Sequence, residues 1–269
     1  MRKLLTYNIH DVVPYINWIY FYFAWGLSQT QSEERRKIRE EADEMLCSFD
    51  GRYHTYVVFD IFDANSDGDD MILGTTRVPL LRQQHTLCEG EPYLCLSDFI
   101  RPLSSGATDK AGAFATTVDM AMEKSGTDDD FEKMMMQTLA DRLAEATTEK
   151  MHEEVRKVYW GYAPDEQLTM EELWVEKFQG IRPAVGYPSL PDQSVNFLLN
   201  EMLQMKDIGI RLTENGAMKP HASVSGLMMS HPAARYFSIG KIGDDQLNDY
   251  SRRRSVPTEL MRKFLAANL

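Results

Sequence analysis

The sequence predicts an α+β fold built on an antiparallel sheet, and three observations carry that reading. Stretches with helical periodicity and stretches rich in β-branched and aromatic residues are segregated rather than alternating, which disfavours a doubly wound parallel sheet. Residues 53–78, YHTYVVFDIFDANSDGDDMILGTTRV, place two such β-rich runs on either side of a polar turn, as a hairpin does. Residues 128–158 repeat apolar side chains at three- and four-residue spacing (Phe131, Met135, Leu139, Leu143, Ala146), as a long amphipathic helix does.

The remaining elements follow in chain order. Residues 15–27 open with closely spaced aromatics, YINWIYFYFAW, suited to a packed helix or turn lining a core. The apolar run 12–27 is shorter than the roughly 20 residues a membrane helix needs, and it contains Pro14 and Asn17. Residues 32–47 put Ile38, Ala42, Met45 and Leu46 on one helical face. Asp128 is placed to cap the long helix. Thr169 and Glu172 form a capping box for another helix that ends before Gly180. Residues 194–205 read as helix, and IGIRLTENGAM, ASVSGLMMS and RYFSIGKI read as strands. Two short helices close the chain, the last opened by Ser255 and Pro257.

Composition narrows the function. The 269 residues are 43% hydrophobic and 26% charged, ordinary for a globular chain of one large domain or two small ones. A net charge of −12 argues against a nucleic-acid partner and against docking on an anionic membrane. Cys47, Cys88 and Cys95 form no CxxC pair and read as reduced thiols of a cytoplasmic protein. MRKLL begins like a signal peptide but lacks the apolar region that would follow.

No HExxH, GxSxG, Walker A or GxGxxG motif occurs, so no catalytic residue is assigned and no metal site is expected. In DANSDGDD, Asp63, Asn65, Asp67 and Gly68 match the first half of a calcium loop, but the twelfth position is Gly74; a hairpin turn accounts for the run. The basic run SRRRS, 251–255, reads as a solvated helix face.

The stretch 179–193, QGIRPAVGYPSLPDQ, is where chemistry concentrates. Pro183 and Pro188 fix φ and bias their predecessors to extended geometry, so Arg182 should project from a stiff loop. A guanidinium grips a carboxylate bidentately, and Tyr187 adds an aromatic face and a hydroxyl. Such a loop suits a ligand with a carboxylate at one end and a flat ring at the other.

These strings, together with YINW, LRQQ, CLSDF, GAFA, LADRLAEA, RKVYWGYAPDE, LTENGAM, ASVSG and SHPAARYF in order along nearly the whole chain, resemble the activation domain of cobalamin-dependent methionine synthase. The resemblance implies one C-shaped α+β domain over residues 1–269, with a bent antiparallel sheet and flanking helices. It implies binding of S-adenosyl-L-methionine and reductive remethylation of cob(II)alamin, with a flavodoxin-type donor supplying the electron. Arg182, Gly186 and Tyr187 match the family's RxxxGY motif; Glu145, Glu176 and Tyr236 match residues near the ligand, and Asp141 a position facing the cobalamin module. The family's YIDW aspartate is Asn17 here, its second tyrosine is Phe237, and its MWPGAS is MKPHAS, with Lys219 and His221. The sequence shows no homocysteine, folate or cobalamin module, so the expected role is in trans on a cobalamin-binding methionine synthase partner. A second reading stays open: a docking or assembly module for a corrinoid protein, with weakened S-adenosylmethionine binding.

Overall fold

The structure is a computed structural model that describes residues 1–86, 90–123 and 128–269. Cys88 lies outside the described residues; Cys47 is exposed and Cys95 buried, both as free thiols.

The chain opens with β1 (Lys3–Asn8), α1 (Ile9–Val12), α2 (Trp18–Ala24) and α3 (Ser32–Phe49). The meander β2 (His54–Asp67), β3 (Asp70–Leu73) and β4 (Thr76–Pro79) follows, then β5 (Asp109–Val118). The long α4 (Asp130–Glu154), α5 (Met170–Trp174) and α6 (Val195–Leu203) precede β6 (Arg211–Leu212), β7 (Met218–Lys219) and β8 (Ser223–Met228). α7 (Asp244–Arg254) and α8 (Thr258–Phe264) close it.

The main sheet runs β4-β3-β2-β5-β8, entirely antiparallel, with β1 also on β2. β2 is long enough to hold β5 along one edge from Thr55 to Ala64, and to share its other edge between β1 at residues 54–59 and β3 at 64–67. The period-two alternation of a strand divides its side chains between two cores. Val57, Phe59 and Phe114 join Ala42, Leu46, Leu139 and Leu143 of α3 and α4. Val58, Ala111, Ala113 and Ala115 join Val195, Leu199 and Leu203 of α6. A third cluster of Ile239, Ile242, Leu247, Tyr250, Met261 and Leu265 holds the two tail helices.

Several expectations change. Asp129, not Asp128, caps α4, accepting the N–H groups of Phe131 at 2.8 Å and Glu132 at 3.1 Å. Phe131 stays exposed beside Trp25, so the buried stripe of α4 starts at Met135. α2 fully buries only Phe21 and leaves Ile19, Tyr20 and Phe23 exposed. RYFSIGKI forms no strand; its Ile239 N–H donates to the Pro188 carbonyl at 2.9 Å. IGIRLTENGAM pairs only through β6 and β7, a small hairpin outside the main sheet.

DANSDGDD holds a hairpin turn at Gly68 and Asp69, where Asp67 at the end of β2 stands opposite Asp70 at the start of β3; Asp63–Asp67 continue β2. Three of its four carboxylates are taken by arginines: Arg77 reaches Asp67 at 2.8 Å and Asp70 at 2.7 Å, and Arg82 reaches Asp69 at 2.7 Å. The SRRRS run is a solvated face only in part: Arg252 stays 75% exposed, but Arg253 bonds Asp249 and the Leu80 carbonyl, and Arg254 pairs with the buried Asp192. Among the described residues no helix is long and apolar enough to cross a membrane.

Candidate ligand-binding site

One wall of the site is a face of α4. Three- and four-residue spacing aligns Arg142, Glu145, Ala146 and Glu149 on the same side of the helix. Opposite stands the segment 181–190, whose first part, 181–185, is laid along β8 and Met229 as an extra antiparallel edge. Ile181 and Met229 exchange two backbone hydrogen bonds of 2.9 Å, Val185 N–H donates to Ser225 O at 2.8 Å, and Leu227 N–H donates to Pro183 O at 3.0 Å. The approach is close enough that a Cβ on Gly226 would fall 2.2 Å from the Pro183 carbonyl oxygen. Past this edge the chain turns at Gly186, whose φ of +88° favours glycine. The prolines and glycines of this stretch therefore build a strut against the sheet, and Arg182 sits on it.

Between the walls lies a cavity of about 630 Å³, closed further by Tyr15, Asn17, Tyr20, Trp174, Glu176, Tyr236 and Phe237. Its size is that of an ordinary small-molecule site. Asn17 caps α2, its Oδ1 accepting the Ile19 N–H at 3.1 Å. Tyr236 fixes the strut from behind: its hydroxyl accepts the Arg182 backbone N–H at 3.0 Å, and burial holds that hydroxyl's pKa above the ordinary value. The Tyr187 hydroxyl donates to Glu145 at 2.8 Å. Glu176 takes a positive φ of 58°, an uncommon conformation for a side-chain-bearing residue. Crowding by protein atoms raises its carboxyl above the ordinary range.

The guanidinium of Arg182 does not project freely, as the loop reading expected. It is ion-paired with Glu149, with the two side chains 10% and 17% exposed. The reason is energetic: a guanidinium this deep in a wall needs a counter-charge. The pair still borders an open cavity. Three carboxylates (Glu145, Glu149, Glu176) and two guanidiniums (Arg142, Arg182) give the lining one negative charge in excess.

Below the strut a buried network braces α4 where it leaves its regular winding at Val155. Arg156 is fully buried, bonds Glu166 at 2.6 Å and His152 at 2.9 Å, and stacks on Phe178 with 4.2 Å to the ring centre. The Tyr162 hydroxyl reaches the Gln179 carbonyl at 3.3 Å, tying this network to the start of the strut.

Of the residues singled out in the sequence, Asn17, Glu145, Glu176, Arg182, Tyr187, Tyr236 and Phe237 all line the cavity. Gly186 lies in the adjoining turn rather than on the lining. Asp141 stands one helical turn before Glu145 and off the lining; burial raises its carboxyl, opposed by Arg142 and His221. Sequence reasoning missed Arg142, Glu149, Tyr20 and Trp174. The helical period gave a signal for the first two, which stand three before and four after Glu145.

The chain matches the family model described as "Vitamin B12 dependent methionine synthase, activation domain" over residues 8–255. Its fold is similar to that in a crystal structure of the MetH reactivation domain bound to AdoHcy. That likeness has a TM-score of 0.95 and 37% identity, and covers 100% of this chain and 90% of the other. The expected α+β architecture, a curled antiparallel sheet with flanking helices, is the one found. The chain belongs to the family of vitamin B12-dependent methionine synthase activation domains.

Proposed function

We propose that this protein binds S-adenosyl-L-methionine in the cavity beside Arg182. There it supports remethylation of a cobalamin carried by a partner methionine synthase module in the cytoplasm, after a flavodoxin-type donor supplies one electron. S-adenosylmethionine supplies an electrophilic methyl group on sulfur, and cobalamin the cobalt that accepts it. The chain's own residues bind and orient. Arg182 takes the ligand's carboxylate, Glu145 and Glu176 lie near its positive charges, and Tyr187, Tyr236 and Phe237 offer ring faces. Asp141, outside the cavity, faces the partner.

The observation that carries this reading is the charge of the cavity. S-adenosylmethionine brings a carboxylate, an ammonium and a sulfonium, a net charge of +1, into a lining with one excess carboxylate. The lining also keeps buried polar atoms without partners, Nε of Arg142 and of Arg182 and Oε2 of Glu149, which a polar ligand can satisfy.

Calorimetric titration with S-adenosylmethionine tests the reading. Binding should saturate below millimolar ligand, and Arg182→Ala should weaken it by more than tenfold, because a charged hydrogen bond contributes about 1.5–3 kcal/mol. Folded parent protein that takes up nothing at millimolar ligand overturns it. Unchanged partner remethylation by Arg182→Ala, with activity lost on removing the whole protein, favours the docking-module reading instead.

A further inference from the structure

We propose that Glu149 is the acceptor for the ligand's α-ammonium, and that before the ligand arrives it stands in for the ligand's carboxylate on Arg182. The inference rests on the S-adenosylmethionine reading above and deepens it.

An amino-acid end presents a carboxylate and an ammonium on one carbon, so its site needs a cation and an anion side by side. Arg182 is the cation on the strut, and Glu149 is the anion it touches. Of the other candidates two are engaged or neutral, and the third, Glu176, makes no ion pair with Arg182 and so is not the anion beside the carboxylate grip. Asn17 carries no charge, and its Oδ1 already accepts the Ile19 N–H. Glu145 holds the Tyr187 hydroxyl.

The pair itself is half-used. Only Nη2 of Arg182 and Oε1 of Glu149 are joined, while Arg182 Nε and Glu149 Oε2 are buried with no hydrogen-bond partner. Arginine and carboxylate can close a two-pronged contact. A one-armed contact leaves one donor and one acceptor over, and these complement a zwitterion. When the ligand enters, its carboxylate takes the guanidinium and its ammonium takes Glu149, so two opposite charges become a cycle of four alternating ones. No buried charge stands uncompensated before or after. The backbones hold this spacing, since Glu149 rides the regular part of α4 and Arg182 rides a segment hydrogen-bonded to β8 on either side.

The test is calorimetric binding of two ligands, S-adenosylmethionine and its analogue with hydrogen in place of the α-ammonium. The parent protein should prefer the intact ligand by on the order of tenfold to a hundredfold, the range of a charge-assisted hydrogen bond. Glu149→Gln should bring the two affinities within about threefold of each other, by the same reckoning. Glu149→Asp, which keeps the charge but withdraws it by one methylene, should fall between. Circular dichroism checks that each variant is folded; should Glu149→Gln not fold, Glu149→Asp decides alone, and a preference equal to the parent's overturns the proposal. Glu149→Gln that keeps the parent's preference overturns it as well. If the parent binds neither ligand, the S-adenosylmethionine reading falls first and takes this inference with it.

Discussion

Replacing Gly226 by alanine should damage stability and site together, because the strut that carries Arg182 passes directly over that residue. The added Cβ would lie 2.2 Å from Pro183 O, 2.9 Å from Ala184 Cα and 3.0 Å from Phe114 Cε1. The first contact is roughly 1 Å inside van der Waals separation, and backbone must yield rather than a flexible side-chain end. Retreat of the strut stretches the Val185–Ser225 and Leu227–Pro183 hydrogen bonds, now 2.8 and 3.0 Å. Losing both costs about 1–3 kcal/mol. Overpacking against Phe114 adds about 1–3 kcal/mol. The sum, roughly 2–6 kcal/mol, should appear in urea unfolding followed by circular dichroism as a lower midpoint at unchanged slope. S-adenosylmethionine affinity should fall too, since Arg182 moves with the strut. Gly112→Ala is the contrast: its nearest neighbour is the Met228 methyl at 2.6 Å, which can swing aside, and the loss should be only about 1 kcal/mol. The reasoning fails if Gly226→Ala is no more destabilised than Gly112→Ala.

Three further outcomes follow from the same geometry. Glu166→Ala strands the fully buried Arg156 and should cost about 3–5 kcal/mol in denaturant unfolding, with a loss under 1 kcal/mol contradicting the network's role. Burial, then Arg156, hold the His152 imidazole well below its ordinary pKa, so below about pH 6.5 the unfolded chain takes up a proton that the folded chain refuses. Stability should therefore fall on acidification by up to about 1.4 kcal/mol per pH unit more in the parent than in His152→Gln, and parallel pH profiles would refute this. Asn17→Asp places a charged acceptor at the head of α2 and in the cavity wall; it should tighten S-adenosylmethionine binding roughly tenfold, and calorimetry showing no gain would contradict the placement.

The sequence disclosed the fold where local pattern and final environment agree. The stripe from Met135 to Ala146 is periodic because α4 buries one face, and DANSDGDD reads as a turn because its glycine adopts a positive φ of 61° there. Legibility fails where the environment is not local. β5, Asp109–Val118, is mostly alanine, glycine and threonine and lacks polar–apolar alternation. It is covered on both faces, by α4 and by α6, and its Ala111, Ala113 and Ala115 all turn to the α6 side. RYFSIGKI has a strand's composition but finds no strand edge to pair with; it runs past Pro188 into the third cluster. The site divides in the same way. Arg182 and Tyr187 could be named because prolines and glycines advertise a stiff loop within a dozen residues. The ion pair with Glu149 could not, since it joins residues 33 positions apart: the helical period marks the face that Glu149 shares with Glu145 but not its partner. Yet that pair follows from the stiffness the sequence did reveal. An arginine pinned in a wall cannot retreat to water, so the facing helix has to supply a carboxylate, and the turn after Glu145 is where α4 supplies it.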